Sequence, residues 1–188
     1  GYGLAMGPFT VGDLSGLDIA WARRKRLALH RDPRERVVPI PDRLCEAGRL
    51  GKKTGAGYYA YPAGARRGVH DPSVDAIIDA ARAERGIAPR RITDDEIVQR
   101  VLCSILSGAL AVVETGVCAA PSDVDVAMTE GFAFPRWRGG PLHDLAGRPS
   151  SWVDEGIGAV AASCPVTFAN LEGADARERV EALLEQVR

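Results

Sequence analysis

The chain repeats itself, and that repeat limits what it can fold into more than any other feature. Gly1-Tyr2-Gly3-Leu4-Ala5 resembles Gly131-Phe132-Ala133-Phe134-Pro135. Gly7-Pro8-Phe9, followed by Asp13-Leu14-Ser15-Gly16, resembles Gly140-Pro141-Leu142 followed by Asp144-Leu145-Ala146-Gly147. Self-similarity of this kind marks tandem copies of one supersecondary unit. A long and a short helical pattern precede the second copy, whereas nothing precedes Gly1. The expectation is a truncated first copy whose opening helices a longer parent chain supplies.

Apolar periodicity makes the units helical. Ile97, Val98, Val101, Leu102, Ile105, Ala109, Leu110 and Val113 recur at three- and four-residue steps, which predicts one buried face on a helix over about 94–117. Thr93 and Glu96 have capping-box spacing at its start. Further helices are expected over 11–29, with Leu14, Leu17, Ile19 and Trp21 among the apolar positions, and over 43–47, capped by Asp42. Others should start at Asp71-Pro72 and run to Gly86, then span 122–130, 151–162 and 174–187. Residues 1–9 read as an irregular loop, 58–61 as a short extended piece and 62–70 as a linker. With 46% apolar residues and only 6% aromatic ones, the composition suits packed helices. The expected fold is all-α. Its segments are a partial first unit (1–62), a linker and helix (63–92) and a second unit (93–188).

A net charge of -1 leaves no global field to draw the chain to nucleic acid or an anionic membrane. No apolar run approaches the ~20 residues of a bilayer span, so neither nucleic acid nor membrane is expected as a partner. The basic cluster Arg23, Arg24, Lys25, Arg26 reads as a solvated helix face, with a CoA-phosphate or acidic-partner patch as the other reading. Cys45, Cys103, Cys118 and Cys164 form no C-x-x-C pair. Nothing calls for an oxidising compartment, so the cytosol is the default expectation. His30, His70 and His143 lie in separate segments and make no metal cluster. The run Gly51-Lys52-Lys53-Thr54 does not fit G-x-x-x-x-G-K-[ST] in any register, and tyrosines follow it where a phosphate loop needs a helix.

Four stretches carry a family resemblance. Met6-Gly7-Pro8-Phe9 with Asp13, Gly16, Leu17 and Asp18 resembles the M-G-P-F-x-x-x-D-x-x-G-L-D signature of 3-hydroxyacyl-CoA dehydrogenase C-terminal domains. Gly51 to Tyr59 is similar to that family's G-x-K-T-G-x-G-[FWY]-Y element. Glu114-Thr115-Gly116-Val117 and Pro121-Ser122-Asp123-Val124-Asp125 resemble its E-x-G-[IV]…P-x-D-[IV]-D stretch. Gly131 to Pro135 with Gly139-Gly140-Pro141 resembles G-x-x-F-P-x-x-x-G-G-P. The matches run in the family's order over about 1–147, and the last 40 residues match loosely.

Two copies in this order resemble the multifunctional β-oxidation enzymes, in which hydratase/isomerase and Rossmann domains lie upstream. The resemblance implies two helical units of the 6-phosphogluconate-dehydrogenase C-terminal-like type, the first truncated. It implies a part in NAD-dependent oxidation of an L-3-hydroxyacyl-CoA. The catalytic histidine and its glutamate belong to the Rossmann domain, as does NAD binding, so this chain is expected to bind no cofactor and to be inactive alone. The loop Met6, Gly7, Pro8, Phe9 would line the acyl-substrate cleft with the Rossmann domain, or would only pack the helical core. Where the family's second copy often reads L-x-N-E, this chain has Leu106-Ser107-Gly108, which favours a structural role for that copy. The partners implied are the upstream domains, the acyl-CoA substrate and a second copy of the chain. The other class of reading is an autonomous helical interaction module without catalysis.

Overall fold

A computed structural model describes residues 2–173 and 175–188; Gly1 of the repeat and Ala174 of the last expected helix lie outside the described residues. Nine α-helices run through the described residues: α1 Pro8–Ser15, α2 Leu17–Leu27, α3 Ile40–Glu46, α4 Pro72–Ala83, α5 Asp94–Glu114, α6 Pro121–Gly131, α7 Pro141–Ala146, α8 Ser150–Ser163 and α9 Ala176–Glu185. The fold is all-helical, as expected. The Tyr58–Tyr61 piece forms no strand, only isolated antiparallel bridges such as Ala56 with Ala60 and Ala60 with Val69.

The helices fall into two compact units. One holds 6–33 and 37–91, the other 2–5, 34–36 and 92–188. In the first, Leu17, Leu44, Cys45 and Val74 form the core, with Trp21, Ile40, Leu50, Tyr58, Ile77 and Ile78 packed around them. The single helix expected over 11–29 is two helices that meet at Gly16, whose φ of 96° favours glycine. Pro8 opens α1 at its first turn, so Pro8 and Phe9 are helical and not part of an irregular loop. α4 carries Val74, Ile77 and Ile78 onto this core. Its N-cap is Asp71, whose carboxylate accepts from Ser73 N at 3.0 Å. Trp21 packs on its own unit's Leu17, Leu44 and Val74 cluster.

In the second unit α5 is the central element. Leu102, Cys103, Leu106, Ala109 and Leu110 on one face join Val124, Phe134, Leu142, Leu145, Val153, Val160, Leu171, Val180, Leu183 and Leu184 in one core. Thr93 caps α5 by accepting from Glu96 N at 3.1 Å. α8 packs closely on α5 at Gly156, where a Cβ would lie 2.5 Å from Cys103 Sγ. Burial pushes the Cys103 thiol up to about 12, so it stays an inert core residue. Contrary to the sequence expectation, α5 is by length and composition long and apolar enough to cross a bilayer. Its buried face identifies it instead as the core helix of its unit. The six-residue α7 was not anticipated from sequence, although Pro141 at its first turn marks its start.

Candidate functional site

The motif residues of the first unit are organised by one buried carboxylate. Asp13 in α1 is 1% exposed. It accepts hydrogen bonds from Tyr58 N at 2.8 Å, Tyr59 N at 3.0 Å and the Tyr61 hydroxyl at 3.2 Å. Three donors satisfy a charge that would otherwise be costly to bury. Burial, then the Asp13 charge, pushes the Tyr61 hydroxyl up to about 12, so it remains a donor. Two glycines make the approach possible. A Cβ on Gly51 would lie 2.3 Å from Asp13 O, and one on Gly57 would lie 2.0 Å from Asp13 Oδ1.

The Gly51 to Tyr59 run is therefore a turn docked on α1 of its own unit. Thr54 Oγ1 accepts from Leu50 N at 3.0 Å, and Lys53 Nζ lies 2.6 Å from Asp18 Oδ1.

Above this staple sit the four residues singled out from sequence. Gly7 is the N-cap of α1 without a side-chain cap, and Pro8 occupies the first helical turn. Met6 is 50% and Phe9 52% exposed. The Phe9 ring is tilted against Tyr58 with centroids 4.5 Å apart. All four residues therefore share one exposed helix start on a rigid support. Beside them is a cavity of about 250 Å³ lined by Phe9, Val38, Ile40, Tyr58, Tyr59 and α4 residues that include Val74 and Ile78.

The histidines stay apart. His70 Nε2 lies 2.8 Å from Asp75 Oδ2, a pairing invisible in sequence because it spans the start of α4. His143 Nδ1 lies 3.1 Å from Val187 O. No group of His, Cys, Asp or Glu among the described residues could hold a metal ion.

The second unit has its own buried carboxylate, used for structure. Asp125 in α6 accepts from Leu142 N at 2.7 Å and His143 N at 3.0 Å, capping α7. A Cβ on Gly140, whose φ is 123°, would lie 2.3 Å from Asp125 Cγ. Burial raises the Asp125 carboxyl above its ordinary range, against the lowering effect of the two backbone donors. At the departure from L-x-N-E, Ser107 Oγ lies 2.7 Å from Asn170 Oδ1, and Asn170 Nδ2 donates to Ser107 O at 2.8 Å. These bonds tie the α8–α9 connection to α5. Residues 2–5 also pack in this unit. Tyr2 donates to Asp144, lies edge-on to Phe134 at 5.8 Å, and has the Arg138 guanidinium 3.9 Å above its ring.

Residues 1–61 match the family model described as 3-hydroxyacyl-CoA dehydrogenase, C-terminal domain. The chain is 38% identical over 153 residues to the peroxisomal bifunctional enzyme of Danio rerio, covering 75% of this chain and 21% of that protein. It is 38% identical over 154 residues to the peroxisomal bifunctional enzyme of Homo sapiens, with the same coverage. It is 37% identical over 143 residues to a peroxisomal fatty acid beta-oxidation multifunctional protein of Arabidopsis thaliana, covering 74% and 20%. The chain thus spans about a fifth of the length of these curated relatives. Its fold matches the crystal structure of the dehydrogenase part of multifunctional enzyme 1 from C. elegans, with a TM-score of 0.62 and 23% identity over 95% of this chain and 39% of that one.

The peroxisomal names of the relatives overturn the cytosolic expectation. Cysteine usage reports only whether thiols stay reduced; the four free cysteines do not distinguish between compartments that keep them so.

Proposed function

We propose, from the match of residues 1–61 to the 3-hydroxyacyl-CoA dehydrogenase C-terminal domain model, that this chain is the helical C-terminal part of a multifunctional fatty-acid β-oxidation enzyme. Its activity is NAD-dependent oxidation of an L-3-hydroxyacyl-CoA, in a peroxisomal setting like that of its relatives. The observation that carries this reading is the exposed start of α1, held on the buried Asp13 staple. Met6, Gly7, Pro8 and Phe9 form one wall of the acyl-substrate cleft, and a Rossmann domain of the parent forms the other. In this reading the units are a partial first copy (1–62), a linker and helix (63–92) and a second copy (93–188) that supports the assembly.

NAD accepts the hydride when bound, and the Rossmann domain holds it together with the histidine that takes the hydroxyl proton. The contribution of this chain is to orient the acyl group. Phe9 offers an apolar face and is fixed by its contact with Tyr58. Tyr58 is in turn fixed by its backbone bond to Asp13. Side chains locked this way position substrate without paying the entropy at each turnover.

Phe9→Ala in the intact parent enzyme should raise KM for L-3-hydroxydecanoyl-CoA several-fold while KM for NAD stays unchanged. An unaltered acyl KM would remove the loop from the cleft. Residues 1–188 alone should not oxidise NADH with acetoacetyl-CoA. A second reading, an autonomous helical module, is favoured by one observation: the second unit closes a core of its own. A sharp thermal transition of a monomer, with no effect of Phe9→Ala on the parent enzyme, would support it.

A further inference from the structure

We infer that the groove beside Phe9 is the subsite for the uncharged hydrocarbon tail of the acyl group. This rests on the reading of Met6–Phe9 as a substrate-facing helix start and extends it to residues that no sequence motif marks. The groove of about 250 Å³ runs from Phe9 along Val38, Ile40 and Tyr58 to Val74 and Ile78 of α4. Val74, 5% exposed, is its most buried lining residue, and Phe9 at 52% is open to the substrate side. The lining side chains Phe9, Val38, Ile40, Val74 and Ile78 have no polar atom with which to hold a headgroup. The volume is just below the ~300 Å³ at which sites for drug-sized ligands begin. A flexible hydrocarbon chain can occupy a space of that size.

Charge selects the same occupant. The ionisable side chains at the groove, apart from the two tyrosines, are His70, Asp71 and Asp75. Asp75 engages His70 at 2.8 Å, and Arg49 lies 2.8 Å from Asp71. The only imidazole at the groove is thus already faced by a carboxylate, and a second carboxylate stands beside it. A fatty-acid carboxylate entering here would meet Asp71 and Asp75 with no cation left to pair with, which is unfavourable. A thioester-linked tail brings no charge and buries only methylenes, whose removal from water is favourable.

The test uses the 188-residue chain with methyl-labelled valine, isoleucine and methionine. Decanoyl-pantetheine, an uncharged thioester, should shift the Val38, Val74 and Ile78 methyls and bind roughly tenfold or more tightly than decanoate. Val38→Trp, at a position 44% exposed outside the helices, should fill the groove and abolish those shifts in a chain with an unchanged circular dichroism spectrum. Equal binding of decanoate, or shifts that survive Val38→Trp, would overturn the assignment. Wild-type mapping decides even if the variant does not fold: shifts at Met6 without shifts at Val74 and Ile78 would refute the groove while leaving the loop reading intact. Shifts at Val74 and Ile78, with no effect of Phe9→Ala on the parent enzyme's acyl KM, would sustain the groove and refute the loop.

Discussion

Phe9 and Leu142 occupy the same place in the two copies of the repeat, two residues after Gly7 and Gly140, yet their environments are opposite. Leu142 is fully buried, and the backbone N–H groups at the start of α7 are bonded to Asp125. Phe9 is half exposed, and Gly7 caps α1 without a side-chain partner. A Cβ on Gly140 would collide with Asp125, whereas one on Gly7 would meet nothing within 4 Å. The second copy has thus turned the Gly-Pro junction into part of its core, and the first presents it. One motif can be buried or presented, and tertiary packing decides which.

Breaking that contrast should begin with the largest effect. Leu142→Ala should cost about 2–5 kcal/mol in urea unfolding, as for other fully buried leucines. Phe9→Ala should cost about 1 kcal/mol, on the scale of the ring contact to Tyr58 that it loses. Equal costs would erase the distinction between the copies.

Asp125→Ala should follow at about 2–4 kcal/mol, because it strands the buried N–H groups of Leu142 and His143. The pH dependence has a definite sign. The folded carboxyl is raised above its unfolded value, so the ionised form is the disfavoured one in the fold. Its contribution should make stability fall as pH rises from the unfolded value of about 3.9 toward the folded one, and be level above it. Asp125→Asn should flatten that limb in denaturation midpoints measured between pH 4 and 6.

Trp21→Ala should cost about 1–3 kcal/mol. Trp21 is only partly buried, at the edge of the first unit's cluster, with Lys25 Nζ 3.4 Å above its ring. A loss of 4 kcal/mol or more would place it in a core as closed as that of the second unit. The smallest expected effect is at Asp71, held at about 2 by its bonds to Ser73 and then by Arg49. A lowered carboxyl stabilises the fold above its unfolded value, and that contribution is lost as pH falls toward 2. Asp71→Ala should therefore narrow the drop in denaturation midpoint between pH 4 and 2 and leave the Leu142→Ala cost unchanged.

Periodicity alone determined that this chain is helical. The three- and four-residue steps from Ile97 to Val113, the Thr93 cap and the Asp71-Pro72 start each act through neighbours in sequence, and α4 and α5 begin where those local rules place them. The Gly-Pro junctions were legible as a repeat, whereas Met6–Phe9 was marked by the family resemblance, and its exposure shows only in the structure. Partnerships across long separations were not legible. Asp13 reaches Tyr58 across 45 residues and Asp125 reaches Leu142 across 17, and nothing in either aspartate's local sequence shows that it is buried. The break at Gly16, the groove between Phe9 and α4, and the opposite fates of Phe9 and Leu142 likewise depend on which surfaces meet. Sequence spacing sets the face a side chain occupies; only tertiary packing decides whether that face is covered.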